Sequence, residues 1–324
     1  IDTRDVLANL DFAKSFDNID AVFTAGAEVP VTVASAARQL GLPGLDPKIA
    51  ANISNKAQMR LKLANKSYSV RCGIDLNYES SFAGAKLLFG TDTLFVVKAT
   101  DGSGSRGLTK CARLVEYTED VFNRAQMVSS DRKVLVEELL QPDPDEEICE
   151  QSVETIWKDG VGTFLNYVDR PFLNLGKWAV ELGHLNPAMH SQRIQQETER
   201  ILMDAGKTLE MDTGILKADT MITKQGVKIL ELTPRLSGGF DSAYTSPLAH
   251  GVDYIKAAML LALGDDIHWE YLLPKQYRHA VAMSAFPKPG RITRITNNPA
   301  EGVLTFSRAQ VGDIIPEYTT CVDR

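Results

Sequence analysis

Two apolar runs joined by a short turn constrain the fold of this chain more than any other feature. Residues 214–222 and 227–232 both favour β-strands, and Gly226 suits the tight turn of a hairpin between them. An antiparallel pair of this length can bring Asp219 and Glu231 side by side at one end of a sheet. Two neighbouring carboxylates repel each other unless a cation lies between them, and Mg²⁺ takes such oxygen ligands together with phosphate groups. The hairpin therefore predicts a phosphoryl-transfer centre.

An arginine and a glycine turn follow the second strand of this hairpin. Arg235 comes four residues after Glu231, and its guanidinium group could hold a phosphate or a carboxylate with two hydrogen bonds. Ser237, Gly238 and Gly239 then form a turn whose backbone N–H groups could bind the same anion. The carboxylate pair, the arginine and the glycine turn thus predict one site.

The charge and the cysteines of the chain exclude several classes of protein. The 324 residues include 35 basic and 42 acidic side chains, and the net charge of −7 argues against a nucleic-acid or acidic-membrane partner. No apolar run is long enough to span a bilayer, and no signal-peptide pattern opens the chain. The cysteines show no C-x-x-C spacing, so we expect reduced thiols in the cytoplasm rather than a zinc site or a disulfide framework.

The sequence predicts three parts. Residues 1–47 contain a short helix, a strand at 21–24 and a helix that begins near Pro30. This is half of a βαβ layer, which cannot bury both faces of its sheet. We expect earlier residues to be absent from this chain, and packing of the segment on the next domain is the alternative. The main domain covers residues 48–276. Short strands and proline-containing turns predict a small β-rich subdomain over 277–324.

A lysine near the start of a helix is the first candidate phosphate ligand. We predict a helix over 54–63 that is capped by Ser54, with Lys56 in its first turn. The positive end of the helix dipole disfavours a cation there. A solvated lysine is the ordinary interpretation, and a phosphate ligand is the alternative.

A glycine-rich loop follows the buried run 94–99, which contains Lys98. The glycine spacing matches the dinucleotide fingerprint, but residues 108–115 favour a strand instead of the helix that would bind a pyrophosphate. The chain also lacks the catalytic loop of a protein kinase and a Walker A sequence. A flap between two strands remains, whose N–H groups could contact a triphosphate, and a plain flexible hairpin is the alternative. The loop residues are Gly102, Ser103, Gly104, Ser105, Arg106 and Gly107.

A second buried run, residues 133–140, ends in a proline-containing acidic loop. Backbone groups near Leu139 could bind the edge of an adenine, while Glu147 could accept hydrogen bonds from a ribose. An acidic surface loop without a ligand is the alternative. Farther along, residues 178–184 predict a strand with Glu181 and His184 near its end, where such side chains are ordinarily surface or core residues.

Taken in order, these stretches resemble the ATP-grasp superfamily of carboxylate–amine and carboxylate–thiol ligases. The resemblance covers roughly residues 20–324 and implies an α/β (α+β) ATP-grasp fold. It further implies a partial Rossmann-like domain over 1–47, an ATP-grasp domain over 48–276 with a mobile lid at about 88–135, and the β-rich subdomain over 277–324. The matching stretches are Asn55-Lys56, Phe95-Val-Val-Lys-Ala99 with its glycine loop, Val136-Glu-Glu-Leu-Leu140 with Glu147, Asp219, and Glu231-x-x-Pro-Arg235.

The resemblance also implies roles for individual residues. Lys56 and Lys98 would contact the phosphates of ATP, and the glycine loop would close over them. The residues that would hold the adenine are Glu137, Glu138, Leu139 and Leu140, and Glu147 would hold the ribose. Asp219 and Glu231 would bridge two Mg²⁺ or Mn²⁺ ions, while Arg235 would steady an acyl-phosphate.

One metal position departs from the family pattern. The family usually has an asparagine two residues after the second metal carboxylate, and this chain has Thr233. A threonine hydroxyl or a water could take the place of the asparagine, so the second metal is the less certain of the two.

Within the superfamily, the pattern is similar to that of the amino-acid and dipeptide ligases. There a glutamate and a histidine three residues apart, here Glu181 and His184, lie by the substrate amine, and the turn at Ser237, Gly238 and Gly239 would contact the substrate. The layout also resembles biotin carboxylase, but the residues that follow Arg235 differ from the stretch that handles bicarbonate in that enzyme.

The expected reaction is transfer of a phosphoryl group from ATP to a small carboxylate, followed by attack of an amine, with release of ADP and phosphate. A carboxylase and a non-catalytic ATP-binding regulatory protein are the alternatives. The expected partners are a small-molecule carboxylate and an amine, without nucleic acid or membrane, and a second copy of the chain in a homodimer is a further alternative.

Overall fold

The computed structural model describes residues 2–102, 104, 106–175, 178–284, 288–298, 300–307 and 309–315. The helices are α1 (Val6–Ala13), α2 (Pro30–Leu40), α3 (Pro47–Ser54), α4 (Lys56–Lys62), α5 (Tyr78–Phe89), α6 (Glu119–Val128), α7 (Gln192–Thr208), α8 (Ser246–His250) and α9 (Tyr254–Leu263). The strands are β1 (Cys72–Asp75), β2 (Phe95–Ala99), β3 (Thr109–Cys111), β4 (Val134–Glu138), β5 (Glu150–Lys158), β6 (Val161–Asp169), β7 (Phe172–Leu175), β8 (Trp178–Glu181), β9 (Gly183–Asn186), β10 (Gly214–Thr223), β11 (Gly226–Thr233), β12 (Ala280–Met283), β13 (Gly290–Arg291) and β14 (Ile314–Ile315).

Two antiparallel sheets position the residues discussed below. The larger sheet has six strands in the order β11–β10–β5–β6–β9–β12, and the smaller has four in the order β1–β4–β2–β3. Helix α7 covers one face of the larger sheet, where Ile201 and Leu202 pack against Trp157 and Leu216. Helix α9 lies on the opposite side of that sheet, and α5 and α6 cover the smaller sheet. Each sheet thus has its own apolar core, as antiparallel sheets covered by helices require.

The hairpin predicted around the two carboxylates forms as expected. Strands β10 and β11 pair antiparallel, with Asp219 directly opposite Glu231, and the register shifts by one residue between Asp219 and Thr220. Gly226 has a φ of +95°, which a residue with a Cβ rarely adopts. The turn therefore depends on this glycine, as the sequence predicted.

The helix that bears Lys56 begins differently from the prediction. Pro47 starts a separate helix, α3, which ends at Ser54, so Ser54 is not a cap. The cap of α4 is Asn55, whose side chain accepts a hydrogen bond from the N–H of Gln58 at 3.1 Å. The prediction of Ser54 as a helix cap was wrong because a helix already begins at Pro47, a residue that favours the first position of a helix. The turn-forming residues before Pro47 are typical of a connector and do not indicate this helix start. Lys56 nevertheless occupies the first turn of a helix.

Three predicted strands also differ. Residues 21–24 form no strand, since they pair with no other strand of the described chain. The strand predicted at 108–115 is confined to β3, and a short 3₁₀ turn follows it. The strand predicted at 178–184 is two strands: β8 pairs with β7, whereas β9 pairs with β6 and β12. Gly183, with a φ of +154°, marks the break between them.

The helix from Pro30, ended by Gly41 in the left-handed conformation, is confirmed. Strands β5 and β6 pair antiparallel and are joined by a short turn. Strand β12 lies in the predicted C-terminal subdomain but adds to the edge of the larger sheet. The division into three parts, and the lid at about 88–135, remain predictions. In the described part of the chain no helix is both long and apolar enough to cross a membrane.

Candidate active site

A cavity of about 860 Å³ lies between the two sheets and brings together residues that are far apart in the sequence. Its size is in the range of cavities that bind small molecules. The sequence-predicted residues that line it are Lys56, Lys98, Gly102, Gly104, Arg106, Glu137, Glu138, Leu139, Leu140, Glu181, His184, Asp219, Glu231, Arg235, Ser237, Gly238 and Gly239. Gly107, Glu147 and Thr233 are not among the lining residues, and Ser103 and Ser105 lie outside the described residues.

Lys56 links the two sides of the cavity. Its Nζ lies 3.1 Å from Glu231 Oε2 and donates a hydrogen bond of 2.9 Å to the carbonyl oxygen of Gly102. Burial alone would raise the pKa of Glu231, but the Lys56 ammonium beside it holds that pKa well below its usual range. A lysine in the first turn of a helix is therefore stabilised here by a carboxylate of the larger sheet.

Lys98 is balanced by a carboxylate of its own sheet. Glu137 lies on the neighbouring strand β4 and is buried, with Oε2 at 2.5 Å from Lys98 Nζ and Oε1 at 2.5 Å from Arg60 Nε. Burial lowers the pKa of Lys98, and the Glu137 carboxylate opposes that effect. In this arrangement the side chain of Glu137 faces two cations, and its neighbours Glu138, Leu139 and Leu140 also line the cavity.

A second group of charges surrounds Asp219 on the opposite wall. Lys217, two residues earlier on the same face of β10, places Nζ at 2.5 Å from Asp219 Oδ1. Arg170, at the end of β6, places Nη1 at 2.9 Å from that oxygen and Nη2 at 2.5 Å from Glu181 Oε2. The guanidinium also lies over the ring of Phe172, with 5.2 Å between Cζ and the ring centre.

Sequence reasoning missed Arg60, Lys217 and Arg170, which all line the cavity. The period of two along β10 could have found Lys217, because Lys217 and Asp219 share a face of that strand. Nothing local in the sequence distinguishes Arg60 or Arg170, since their partners lie on other strands. Long-range pairing placed them in the site.

Glu181 and His184 lie together, although a strand break separates them. His184 is buried, and its Nε2 lies 3.3 Å from Glu181 Oε1. Its Nδ1 lies 3.2 Å from the carbonyl oxygen of Gly239, which fixes the ring against the glycine turn. Burial alone would raise the pKa of Glu181, but Arg170 and then His184 lower it, so the carboxylate is ionised at neutral pH. The predicted grouping of these residues with the glycine turn is therefore present.

Arg235 is buried with its guanidinium at the edge of the cavity. Its Nη1 donates to the carbonyl oxygen of Leu236 at 2.7 Å, and its Nη2 pairs with Glu28 from the N-terminal segment. The Nε atom is buried and has no hydrogen-bond partner. A buried donor without a partner is costly, and this one leaves Arg235 with an unused hydrogen bond.

The structure does not place Glu147 with the other site residues, because it is exposed on the loop after β4. Glu150, three residues later at the start of β5, lines the cavity instead. Burial raises the pKa of Glu150 to about 7, and Arg170 opposes this effect. The acidic loop contains several carboxylates. The sequence alone does not show that Glu150, at the start of β5, is the one that lines the cavity.

Asp219 and Glu231 fit a hard divalent cation. Asp219 Oδ1 is buried and takes part in no hydrogen bond of acceptable angle, although two cationic groups lie close to it. Directly opposite on β11, Glu231 offers a second carboxylate to the same cavity. The described residues contain no group of three or more acidic, histidine or cysteine side chains with metal-binding spacing. Two carboxylates suit Mg²⁺, which usually completes its shell with phosphate oxygens and water.

No protein-family model and no curated protein sequence matches the chain significantly. Solved structures do match it. Phosphoribosylglycinamide synthetase from Anaerococcus prevotii superimposes with a TM-score of 0.71 at 19% identity, over 100% of this chain and 80% of that one. L-Amino acid ligase from Bacillus licheniformis superimposes with a TM-score of 0.71 at 18% identity, over 90% of this chain and 69% of that one. Biotin carboxylase from Campylobacter jejuni superimposes with a TM-score of 0.68 at 16% identity, over 98% of this chain and 71% of that one.

At these identities the similarity establishes the fold and leaves function to the site. These three matches extend over 90% to 100% of the chain. The chain therefore has the α+β ATP-grasp fold, as its sequence motifs predicted.

Proposed function

We propose that this chain is an ATP-dependent ligase that activates a small carboxylate as an acyl-phosphate and joins it to an amine. The central observation is the facing of two sets of charges across one cavity. Lys56 and Lys98 lie on one side, and the carboxylates of Asp219 and Glu231 lie side by side on the other. Such a site can hold a triphosphate and neutralise the charge that develops during phosphoryl transfer.

The nucleotide would enter between the smaller sheet and the segment after β4. Leu139, Leu140 and Pro142 line this part of the cavity and would enclose the adenine. Glu150 would accept hydrogen bonds from the ribose hydroxyls in place of Glu147. Among the similar structures, the biotin carboxylase is a complex with an ATP analogue, and the biotin carboxylase domain of a 2-oxoglutarate carboxylase is a complex with ADP and MgADP.

Asp219 and Glu231 would hold Mg²⁺ or Mn²⁺. When bound, the cation would neutralise the phosphate oxygens and orient them for in-line transfer. Because Thr233 does not line the cavity, we assign it no contact with a cation. Lys56 and Lys217, which pair with the two carboxylates in this structure, would then turn to phosphate oxygens.

The reaction would proceed in two steps. A carboxylate oxygen attacks the γ-phosphorus of ATP, and ADP leaves; the amine nitrogen then attacks the acyl carbon, and phosphate leaves. Arg235, which lines the cavity, would hold the carboxylate or the acyl-phosphate with its guanidinium group. The N–H groups of Gly238 and Gly239 would contact the same oxygens, and His184 would take the proton that the amine releases.

An amino acid is the substrate class that the pair of Glu181 and His184 favours. The Glu181 carboxylate would attract an α-ammonium group in the same cavity that Arg235 lines. One of the similar structures is an L-amino acid ligase. Biotin carboxylases and N5-carboxyaminoimidazole ribonucleotide synthetases are similar in fold as well, so a carboxylase that uses bicarbonate is the second candidate.

The test is a screen for ADP release with Mg²⁺, ATP and single L-amino acids or small carboxylates, with bicarbonate as a separate arm. We expect ADP and phosphate to form only when a carboxylate substrate is present, and a second amine to yield an amide. Bicarbonate as the sole active carboxylate would favour the carboxylase. Formation of AMP and pyrophosphate would exclude the proposed chemistry.

A further inference from the structure

A buried carboxylate lies behind the glycine turn, outside the cavity. Glu154 is in the middle of β5 and has 0% of its surface exposed. Its Oε1 accepts hydrogen bonds from the backbone N–H of Ser237 at 2.6 Å and from Ser242 Oγ at 2.8 Å, and its Oε2 accepts one from Asn166 Nδ2 at 3.1 Å. Each of these donors is neutral. Burial of a carboxylate without a cationic partner is costly, so its retention in a core strand suggests a task.

Glu154 reaches the turn through the regular alternation of β5, which pairs with β10 without a register shift. Ser152, two residues earlier on the same face of β5, also meets the turn, with 3.2 Å between its Oγ and Ser237 Oγ. The register shift between β5 and β6 leaves its extra residue, Leu165, on β6.

A second buried acid holds the other half of the turn. The backbone N–H of Asp241 donates to the carbonyl oxygen of Gly238 at 3.0 Å. Its Oδ1 accepts hydrogen bonds from Thr245 Oγ1 and Ser246 Oγ, both at 3.0 Å. Asp241 therefore fixes the carbonyl side of the turn, and Glu154 fixes its N–H side.

The N-terminal segment and His184 pack against two further sides of the turn. A Cβ on Gly26 would lie 3.2 Å from the Cα of Gly238, so the N-terminal segment packs closely on the turn. Gly239 has a φ of +62°, and a Cβ there would lie 2.6 Å from His184 Cε1. The backbone of Gly238 and Gly239 is thus confined between the polar cluster behind it and the cavity in front of it.

We propose that Glu154 is a positioning residue: by binding the Ser237 N–H, it aims the Gly238–Gly239 backbone at the carboxylate that the enzyme activates. This inference rests on the proposed function for the identity of the ligand. It also corrects one sequence-based expectation, because the Ser237 N–H points inward to Glu154 and is not offered to a ligand. Burial, and then the charge of Asp241, raise the pKa of Glu154 to about 7, and the three hydrogen-bond donors oppose this rise.

The first experiment needs no substrate. Hydrogen exchange of the peptide over residues 234–242 is compared in the wild type, Glu154→Leu, Glu154→Gln and Thr155→Val. Thr155 is the matched control: it is buried next to Glu154, and its Oγ1 bonds to Leu216 and Trp157, away from the turn. We expect faster exchange in Glu154→Leu, and wild-type exchange in Glu154→Gln, whose amide oxygen still accepts the Ser237 N–H. Equal exchange in the Leu variant and the Thr155 control would overturn the proposal.

The second experiment uses the L-amino acid that gives the fastest ADP release in the wild type. We expect Glu154→Leu to raise the KM for that amino acid about tenfold or more relative to Thr155→Val, because small displacements of positioning groups are costly. The Kd for ATP should change less than twofold. An unchanged KM would overturn the positioning role. If no amino acid is active, the proposed ligase function fails, while the exchange experiment still decides whether Glu154 fixes the turn.

Glu154→Leu could fail to fold, and two milder variants then decide. Ser242→Ala removes one donor to Glu154 Oε1 and to the carbonyl oxygen of Ser237. We expect the 234–242 peptide to exchange faster than the wild type in Ser242→Ala and at the wild-type rate in Glu154→Gln. Wild-type exchange in Ser242→Ala would count against the proposal.

Discussion

Glu231 is the residue on which the proposed chemistry depends most. It lies opposite Asp219 in the hairpin, and its Oε2 lies 3.1 Å from Lys56 Nζ. The Glu231 carboxylate thus lies between the Lys56 ammonium and the Asp219 carboxylate. A bound nucleotide and cation would separate Lys56 from this carboxylate. Its replacement should affect catalysis far more than folding, because it is partly exposed and lies at the cavity surface.

We predict that Glu231→Gln lowers carboxylate-dependent ADP release by about 10²–10³-fold, the usual effect of removing one group that stabilises transition-state charge. The midpoint of thermal unfolding should change little. Glu147→Gln is the matched control, since Glu147 is exposed and outside the cavity. A rate close to that of the wild type in Glu231→Gln would contradict the assignment.

Glu150 is the second test at this scale, because sequence reasoning chose Glu147 in its place. We predict that Glu150→Gln weakens ATP binding about tenfold or more, since hydrogen bonds to charged groups contribute roughly 1.5–3 kcal/mol. The loss should be much smaller for an ATP analogue that lacks ribose hydroxyls. Calorimetry with both nucleotides measures this, with Glu147→Gln as the control. An equal loss for both nucleotides would show that Glu150 does not bind the ribose.

Among the structural elements, the loop between β4 and β5 is held by a histidine. His190 is buried before α7, with Nδ1 at 2.9 Å from Glu146 Oε2 and Nε2 at 2.7 Å from Asp169 Oδ1. Gln151 Nε2 lies 3.2 Å from the same Nε2 atom. Burial alone would lower the pKa of His190, but Asp169 and Glu146 outweigh that effect and raise it. The imidazolium therefore ties the loop to the end of β6.

This contact predicts a pH dependence of stability. The pKa of His190 is higher in the folded state than in the unfolded state. Its contribution to the free energy of unfolding is therefore fully present below the unfolded-state pKa and is lost as the pH rises through the folded-state pKa. We therefore expect His190→Gln to lower the free energy of unfolding more at pH 6 than at pH 9. Urea unfolding at several pH values measures the difference, with the exposed His268 replaced by Gln as the control. A difference that does not vary with pH would contradict the contact.

At the scale of the whole molecule, the sequence predicted the features that depend on residues close together in the chain. The β10–β11 hairpin follows from two apolar runs and one glycine, so the pairing of Asp219 with Glu231 could be predicted. The ATP-grasp fold followed from the order of the motifs. The motifs also placed Lys56 and Lys98 in one site, although their carboxylate partners were not predictable.

The features that were missed depend on pairing between distant strands. Arg170 enters the site because its partner Asp219 lies on β10 of the same sheet, and Glu150 because β5 pairs with β10. The strand expected at 21–24 fails for the converse reason, since an apolar run forms a strand only when another strand is beside it. Glu154 was missed because its contact with the glycine turn joins two residues, Glu154 and Ser237, that are 83 positions apart in the sequence.

The central claim is that a carboxylate oxygen of the substrate attacks the γ-phosphorus of ATP, and transfer of ¹⁸O tests it most directly. The active carboxylate from the ADP-release screen is labelled with ¹⁸O in both oxygens and incubated with ATP, Mg²⁺ and the amine, and the released phosphate is analysed by mass spectrometry. An acyl-phosphate intermediate predicts one ¹⁸O atom in each phosphate, because the bridging oxygen leaves with phosphate when the amine attacks. Phosphate without ¹⁸O, released together with the amide product, would contradict the account.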